Sequence, residues 1–441
     1  MKGAFRRIAG AAVLFAASNA AFAQAPGSLL RAVVVSRHGV RTPTMSNEAL
    51  ANWARQPWPT WKEPLGSLTP KGRRLATLMG SYYRSAFAAE NLLPENASGC
   101  PAPGSIYVYA DVAERTEQTA QGLLDGLAPG CGIPVRSRAP AKVDGVFHPV
   151  AAGVCRIDPL EAQSAVLARV GGDFSALVAK HRAAFDRLQS ISGCCAPALC
   201  TAYGRPAGCT LPEVPTALVG LSNGQGISLI GGLSFASTAS ELFLLQYADG
   251  KPLPEVGWGR AGPAEIREVL PLHDALFDLL FRTPYLARRE GSSLLARAAS
   301  AVTGTAIGGL PEPEPAVRDA RVVAYVGHDD NLANLGGLLG AKWSLPGYPE
   351  NETPPAGALL LERRRAADRA GGGDDIFVSY VSQTLDQMRD AAPLTPASPP
   401  IRTPIRIPGC SRDEPGYPCP VADFAGLVAR AIDADCVDRT P

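Results

Sequence analysis

The chain carries almost no net charge and lacks the common motifs for binding a metal. Its 441 residues include 42 lysines and arginines against 41 aspartates and glutamates, so the charge balance favours neither a nucleic acid nor a membrane surface as partner. Neither a paired Cys-x-x-Cys motif nor a His-Glu-x-x-His motif is present, and we therefore expect no metal site and no cofactor. Internal repeats are also absent, which excludes a repeat architecture.

Long apolar runs are missing too, apart from one at the N-terminus. Lys2, Arg6 and Arg7 precede an apolar stretch over residues 8–22, which is typical of a secretory signal peptide cut after Ala23. The stretch is shorter than the roughly 20 residues that a membrane-spanning helix needs. Cleavage removes those three basic residues and no acidic one, which leaves 39 basic against 41 acidic residues. We expect a periplasmic or secreted protein without a membrane anchor.

The size and the cysteines of the remaining chain constrain its organisation. All ten cysteines follow the signal peptide, and an even number in an exported chain favours five disulfide bonds over buried free thiols. About 418 residues exceed what one hydrophobic core usually supports. We therefore expect two domains, or one domain with a large insertion.

Three short apolar segments predict strands that deliver charged residues at their carboxyl ends. A valine-rich run over residues 31–36 is stopped by Gly39 and Pro43, and two further strands are predicted over residues 106–109 and 321–326. Helical patterns follow the first two strands. This order predicts an α/β sheet with a site along one edge.

The pattern changes in the middle of the chain, where four helical segments are separated by loops rich in cysteine, proline and glycine. These segments are residues 162–170, 173–188, 235–247 and 265–281. A mostly helical insertion is the simplest interpretation. The predicted parts are a signal peptide (1–23), a first α/β part (24–157), an inserted helical domain (158–282) and a second α/β part (283–441).

The loop after the first strand places His38 between two arginines, Arg37 and Arg41. Guanidinium groups offer forked donors that match phosphate oxygens, and a neutral imidazole can attack phosphorus. The structural alternative is a histidine whose ring nitrogens already have hydrogen-bond partners, beside two arginines that are solvated. We favour phosphoryl chemistry, because two arginines this close on a glycine-containing turn would repel each other without an anion.

The ends of the other two predicted strands supply the remaining groups for such a reaction. Arg115 follows the second strand, and His328 and Asp329 follow the third. Together the residues offer a nucleophile, cations for the transferred oxygens and an acid for the departing alkoxide, with no need for a metal. Asp111 either orients Arg115 through a salt bridge or caps the following helix.

At these positions the sequence resembles the histidine acid phosphatases. Their signature Arg-His-Gly-x-Arg-x-Pro matches residues 37–43 at every fixed position, and their second signature, His-Asp, matches residues 328–329. Nearly all of the mature chain resembles the periplasmic, phytase-like branch of this family in bacteria. The segments that look like this branch are residues 241–246, 257–260, 327–337 and 383–390.

The resemblance implies a phosphoglycerate-mutase-like α/β fold, with a mostly parallel sheet flanked by helices and an inserted helical domain. It also implies a metal-independent acid phosphomonoesterase that hydrolyses phytate and other phosphate monoesters through a phosphohistidine. Residue roles carry over to matching positions only. His38 would be the nucleophile and Asp329 the proton donor; Arg37, Arg41, Arg115, His328 and Thr44 would hold the phosphate; Met45 and Glu241 would face the rest of the substrate.

Two of these assignments have plain structural alternatives, and three positions depart from the branch. Thr44 could merely cap its loop, and Glu241 could be a solvated helix residue.

Met45 stands where the branch carries a lysine, which weakens the case for phytate specificity. Asp330 stands where the branch usually has a threonine. Its carboxylate either raises the pKa of one member of the pair that it forms with Asp329 or points away. Glu290 lies near a usually basic position, where the arginines at residues 288–289 could substitute.

The same resemblance implies four disulfide pairs and leaves two cysteines over. Cys194 and Cys195 have no counterpart in the branch, so they either bond to each other or stay free. His148, His181 and His273 are interpreted as structural, with His273 a candidate to border the pocket. The implied pairs are Cys100 with Cys131, Cys155 with Cys436, Cys200 with Cys209, and Cys410 with Cys419.

Two rival functions are weighed against this one. A phosphoglycerate-mutase-like transferase would use the same phosphohistidine, but export and disulfides argue against it. A non-catalytic phosphate-binding protein has no use for a nucleophile opposite an acid. Within the leading function, a general acid phosphatase or a glucose-1-phosphatase without phytate preference is the alternative. We expect a monomer that takes a small phosphate monoester and binds neither nucleic acid nor membrane.

Overall fold

The computed structural model describes residues 27–440, except residues 95–98, 141, 222–225 and 367–372. The predicted signal peptide over residues 1–23 therefore lies outside the described residues. Within the described part, none of the helices has the length and apolar character needed to cross a bilayer.

The strands of the described residues form one eight-stranded sheet and one separate hairpin. Their bounds are β1 (Leu29–Arg37), β2 (Ile106–Ala110), β3 (Val135–Arg136), β4 (Thr216–Gly220), β5 (Ile227–Gly231), β6 (Val322–Gly327), β7 (Ala358–Arg365), β8 (Asp374–Ser382), β9 (Ile401–Ile405) and β10 (Cys419–Pro420). The hairpin consists of β4 and β5.

The large sheet is mixed, with a parallel half and an antiparallel half. Its order is β10-β8-β7-β1-β6-β2-β3, and β9 also pairs with β8. Strands β1, β6, β2 and β3 are parallel, whereas β7 to β10 pair antiparallel. The expected α/β class is confirmed, but the sheet is less parallel than expected. A short connection joins β7 to β8, and short connections favour antiparallel pairing.

Helices cover both faces of the sheet and fill the central part of the chain. Short 3₁₀ turns lie at Ala51–Trp53, Leu211–Glu213, Leu253–Gly259 and Ala434–Cys436. The α-helices of the described residues are α1 (Asn47–Leu50), α2 (Pro70–Ala89), α3 (Glu114–Leu127), α4 (Pro159–Arg169), α5 (Ser175–Lys180), α6 (Arg182–Ser192), α7 (Pro197–Ala202), α8 (Gly232–Ala248), α9 (Pro263–Val269), α10 (Pro271–Phe281), α11 (Pro284–Thr303), α12 (Pro315–Arg318), α13 (Asp329–Leu338), α14 (Leu385–Asp390) and α15 (Val421–Ala431).

The valine run of β1 is explained by burial on both faces of the sheet. Val33 and Val35 pack into the cluster that includes α11, α13 and α15. Val34 points the other way, into the cluster with α2 and α3. Successive side chains of a strand alternate between faces, so a strand with helices on both sides needs an unbroken apolar sequence.

The segment predicted as a helical insertion contains helices α4 to α10 and the β4–β5 hairpin. The hairpin was not predicted, because each of its strands has only five residues and they are largely half-exposed. A third hydrophobic cluster is centred on α8, which is buried along almost its whole length. The domain boundaries at residues 157/158 and 282/283 stay a prediction.

All ten cysteines are described, and all are in disulfide bonds. Cys194 and Cys195 are bonded to each other, which decides between the two alternatives that the sequence left open. The four pairs implied by the resemblance are confirmed: Cys100–Cys131, Cys155–Cys436, Cys200–Cys209 and Cys410–Cys419.

Candidate active site

The carboxyl ends of three parallel strands bring the predicted site residues to one edge of the sheet. Arg37 is the last residue of β1 and pairs in register with Gly327, the last residue of β6. The next residue, His38, donates its backbone N–H to the Gly327 carbonyl at 2.9 Å. On the other side of β6, the backbone N–H of Asp111 bonds to the Val326 carbonyl at 3.0 Å. The residues predicted for the site therefore lie at one edge of the sheet, as expected.

His38 is buried and is held as a neutral imidazole. Its Nδ1 lies 2.9 Å from the Gly39 carbonyl oxygen, and because that oxygen can only accept, Nδ1 carries the proton. Nε2 therefore keeps its lone pair. Burial, and then the charges of Arg37 and Arg41, hold the pKa of His38 well below its ordinary value. The ring is thus a nucleophile even in mildly acidic solution.

Arg37 and Arg41 are buried beside His38, and both contact Glu241 of α8. Arg37 also donates to the Thr353 carbonyl at 2.6 Å, and Arg41 Nη2 lies 3.0 Å from Glu241 Oε2. Burial raises the pKa of Glu241, but Arg41 and Arg37 outweigh it and lower that pKa. Glu241 is therefore not the solvated helix residue of the plain alternative. It is a buried counter-ion of Arg37 and Arg41.

The third arginine, Arg115, reaches the cluster from the start of α3. Its Nη2 lies 3.2 Å from Nδ1 of His328, the residue that follows β6. The His38 and His328 rings are 5.4 Å apart. Each of Arg37, Arg41 and Arg115 has a buried Nε–H without a hydrogen-bond partner in the described chain. Buried donors are nearly always paired, so three orphaned guanidinium N–H groups indicate an anion site.

Asp329 begins α13 and faces the same arginines. Its Oδ2 lies 2.7 Å from Arg37 Nη2. Burial raises its pKa, but the positive charges of Arg37 and Arg41 outweigh burial and hold the pKa of Asp329 well below its ordinary value. The net direction is downward, so the neighbouring carboxylate of Asp330 does not keep Asp329 protonated in the empty site, as one of the two expectations for this pair had it. The charge of Asp330 acts instead on Arg115 and on His148.

Asp111 joins two histidines behind the arginines. Its Oδ2 lies 2.7 Å from His328 Nε2 and 3.6 Å from His148 Nε2. The carboxylate therefore orients His328, a role that the sequence did not suggest for Asp111. Burial lowers the pKa of His148, but the nearby carboxylates of Asp111 and Asp330 outweigh burial and raise that pKa to about 9. His148 was interpreted as structural, and no sequence signal near it indicated a place beside the site.

His273 of α10 borders the site, as one of its two interpretations allowed. It is 3 % exposed, and its Nδ1 lies 3.1 Å from Ser237 Oγ. Its Nε2 has no hydrogen-bond partner among the described residues, and it lies near Glu241 and Asp329. Asp274 and Glu352 form a buried carboxyl pair nearby, which was not predicted from the sequence. Burial, and then repulsion by Glu352, raise the pKa of Asp274 well above its ordinary value.

The remaining predicted residues line the rim. Thr44 and Met45 are exposed, and Met45 has 39 % of its surface accessible. Thr44 lies near Arg115 across Gly66. Arg288 and Arg289 do not supply the basic charge that the branch usually has near Glu290. Arg288 donates to the Ile432 carbonyl and Arg289 pairs with Asp433, both in the C-terminal segment.

Among the residues that the structure describes, two groups of side chains are close enough to share a metal ion. They are Asp111 with His148 and His328, and Glu241 with His273 and Asp329; in each group the candidate ligand atoms lie within 4.8 Å of one another. In the first group Asp111 is already hydrogen-bonded to His328, and in the second both carboxylates pair with Arg37. The hydrogen bond and the ion pairs therefore account for the closeness of the side chains in each group.

Comparison with known proteins decides the family. Residues 28–200 match the model of the histidine phosphatase superfamily, branch 2. The chain is 37 % identical to Phytase AppA of Escherichia coli (strain K12), over 95 % of this chain and 96 % of the relative. The chain belongs to this superfamily. Like its other members, this histidine phosphatase is a phosphomonoester hydrolase.

Two further relatives differ in substrate. The histidine phosphatase described here is 28 % identical to a glucose-1-phosphatase of Salmonella typhimurium, over 96 % of this chain and 97 % of the relative. Its structure is similar to that of the Hafnia alvei phytase in complex with tartrate, with a TM-score of 0.85 and 36 % identity, covering 95 % of this chain and 100 % of that chain. The expected phosphoglycerate-mutase-like fold with a helical part is confirmed.

Proposed function

We propose that this protein is an exported, metal-independent acid phosphatase that hydrolyses small phosphate monoesters, phytate among them, through a phosphohistidine at His38. The observation that carries the proposal is the neutral His38, with Nε2 free, beside three arginines that have orphaned N–H groups. Five disulfides and the signal-like N-terminus favour an oxidising compartment such as the periplasm. A small-molecule substrate and a monomer remain the expectation.

The first half of the reaction forms the phosphohistidine. Arg37, Arg41 and Arg115 bind the phosphate oxygens and neutralise the charge that builds up during transfer. Nε2 of His38 attacks phosphorus while the bond to the alcohol oxygen breaks. Asp329 gives that oxygen its proton, so the alcohol leaves uncharged. His328 donates from Nε2 to Asp111 and accepts from Arg115 at Nδ1, and it thereby positions the Arg115 guanidinium for the transferred group.

The second half returns the enzyme to its starting state. Asp329 is now ionised and takes a proton from a water molecule. That water attacks phosphorus, the bond to His38 breaks, and inorganic phosphate is released. Asp329 therefore acts first as acid and then as base. Because it is ionised in the empty site, the proton that it takes from water leaves with the inorganic phosphate.

The pH dependence should follow the ionisation of the substrate, not that of His38. Asp329 is ionised in the empty site because its pKa is lowered. The proton must therefore enter with a monoanionic ester, whose second pKa is about 6. We expect kcat/KM to fall as pH rises above about 6. The value should not fall when the pH is lowered through 6.5, the ordinary pKa of histidine, because the pKa of His38 is held well below that value and the ring stays neutral. A flat profile from about pH 5 to 8 would contradict these roles.

Order of product release tests the proposed function directly. In rapid mixing of the mature enzyme with p-nitrophenyl phosphate and a chelator, we expect p-nitrophenol to appear before phosphate. Base-quenched samples should hold about one phosphate per chain on histidine, a linkage that acid removes. The chelator should leave the rate unchanged. Simultaneous release of both products without a trapped phosphoryl group would refute the phosphohistidine. Loss of activity with the chelator would refute a metal-independent mechanism.

A general acid phosphatase, or a glucose-1-phosphatase, without phytate preference is the second candidate. The exposed Met45 at the rim favours it, since a methionine offers no charge to a second phosphate. A non-catalytic phosphate-binding protein is disfavoured, because Asp329 lies 2.7 Å from a phosphate-binding arginine, where a carboxylate would weaken anion binding unless it has a chemical role.

A further inference from the structure

A cavity of about 160 Å³ lies beside β2, away from the phosphate-binding arginines. Strands β2 and β6 line it from the sheet, α11 and α12 line it from one side, and residues 310–314 and 439–440 form its mouth. Among the residues that the structure describes, none of those that line this cavity belongs to the phosphate site. We call it the β2 cavity. It is a second concave site, separate from the one that carries the chemistry.

The walls of the β2 cavity are mostly aromatic and aliphatic. Tyr107 and Tyr109 of β2 and Tyr325 of β6 contribute their rings, and Val317 of α12 adds an aliphatic side chain. The rings of Tyr109 and Tyr325 are tilted against each other, with centroids 6.3 Å apart. Aromatic rings pack favourably against further rings in edge or offset contacts, and an apolar cavity of about 150 Å³ holds one benzene molecule. The lining therefore favours a ligand with a single aromatic ring.

Two polar groups on α11 lack a hydrogen-bond partner at this cavity. Arg297 and Ser300 both line it, and residues three positions apart lie on the same face of a helix. The Ser300 side chain is 4 % exposed, and its Oγ has no partner among the described residues; the same holds for the buried Nε of Arg297.

The remaining hydrogen-bonding capacity of Arg297 is directed elsewhere. Its Nη2 donates to the carbonyls of Asp438 at 3.1 Å and Thr440 at 2.6 Å, which leaves Nε as the unpaired buried donor. An arginine can only donate, whereas a serine hydroxyl can donate or accept. A buried donor without a partner is costly. Both groups would be satisfied by one ligand oxygen that accepts two hydrogen bonds.

The charges around the β2 cavity exclude a strongly charged ligand. Arg138 is paired with Asp144 and Asp438, and the other acidic groups are exposed glutamates at the mouth. Counting the lining residues and these two partners, three arginines face four carboxylates, so an anion gains little attraction. A cation would lie against the unpaired donors inside. The charged groups counted are Arg138, Arg297, Arg439, Asp144, Asp438, Glu312 and Glu314.

We propose that the β2 cavity binds a small uncharged phenol. Its ring would lie among the three tyrosines, and its hydroxyl oxygen would accept from Arg297 Nε–H and Ser300 Oγ–H. A phenol has a pKa of about 10, so it stays uncharged in acidic and neutral solution. This site does not depend on the proposed phosphatase function, and it would exist whichever ester the enzyme prefers.

Binding of 4-fluorophenol to the mature enzyme, followed by fluorine NMR, tests the proposal. Saturating inorganic phosphate is present, so that the active site is occupied. At about pH 6.5 we expect saturable binding to one site with a Kd on the order of 1 mM. 4-Fluorotoluene, which has no oxygen, and 4-fluorobenzoate, which is charged, should bind about fivefold more weakly or less. Absence of saturable binding, loss of binding when phosphate is added, or tighter binding of 4-fluorobenzoate would overturn the proposal.

Two variants locate the ligand. Ser300→Ala removes one donor and should weaken 4-fluorophenol about fivefold. Ala301→Leu fills the cavity from α11 and should remove saturable binding. The matched control, Ser85→Ala, makes the same change at an exposed position on α2 and should leave the Kd unchanged. Near-wild-type turnover of p-nitrophenyl phosphate shows that each variant is folded. Wild-type affinity in either Ser300→Ala or a folded Ala301→Leu enzyme would contradict the assigned position of the ligand.

Discussion

Replacing His38 with alanine is expected to lower kcat/KM for p-nitrophenyl phosphate by about 10⁴-fold or more. Such a loss corresponds to about 5 kcal/mol of transition-state stabilisation. The reason is geometric as well as chemical. Nδ1 is fixed on the Gly39 carbonyl, so Nε2 is the only ring nitrogen left to attack, and the arginines hold the phosphate against it. Steady-state kinetics with each purified variant measures the effect.

Two further variants separate lost chemistry from lost folding. His38→Asn keeps an amide that can donate to the Gly39 carbonyl, and we expect it to be as inactive as the alanine variant while unfolding at a similar temperature. His181→Ala removes a histidine from the boundary of α5 and α6, outside the site, and should keep wild-type kinetics. Substantial turnover by His38→Asn would show that another group is the nucleophile.

Replacing Asp329 with asparagine is expected to have an effect that depends on the leaving group. General acid catalysis contributes about 10²- to 10⁴-fold, and the contribution grows with the basicity of the departing oxygen. We expect a loss near the upper end with glycerol 2-phosphate or glucose 1-phosphate, and a much smaller one with p-nitrophenyl phosphate, whose phenolate leaves without a proton. The measurement is kcat for each ester with both enzymes.

The neighbouring carboxylate supplies the control. Asp330→Asn makes the same change one residue along α13, but Asp330 lies close to Arg115, whereas Asp329 is the carboxylate paired with Arg37. We expect any loss in that variant to be equal for alkyl and aryl esters of one phosphate. Equal losses for both ester types in Asp329→Asn would remove Asp329 from the role of acid.

The residues of the site could be predicted from the sequence where each lies at the end of a strand. The valine run of β1 ends at Arg37, and β6 ends one residue before His328, so the position of both clusters follows from strand periodicity. Parallel strands place their carboxyl ends at one edge, which brings His38 and Asp329 together. The antiparallel half of the sheet could not be predicted in this way, since a buried strand has the same apolar pattern in either direction.

Residues that reach the site from other elements could not be predicted. His148 lies on an irregular loop and His273 on a helix whose pattern shows only an apolar face, so neither has a local signal for catalysis. Glu241 was predicted as a substrate contact, but its pairing with two arginines depends on how α8 packs against the sheet edge. Their roles depend on distances between segments that are far apart in the chain.

The sequence by itself determined the chemistry of this protein: a histidine nucleophile, arginines for a phosphate and a carboxyl group for the alcohol. Residue types carry that information, because reactivity and charge belong to individual side chains. Only the tertiary structure decided the protonation states. Burial beside three cations keeps His38 neutral, and Arg37 and Arg41 keep Asp329 ionised in the empty site. Such effects depend on the distance and solvent exposure of each charge, and folding fixes both.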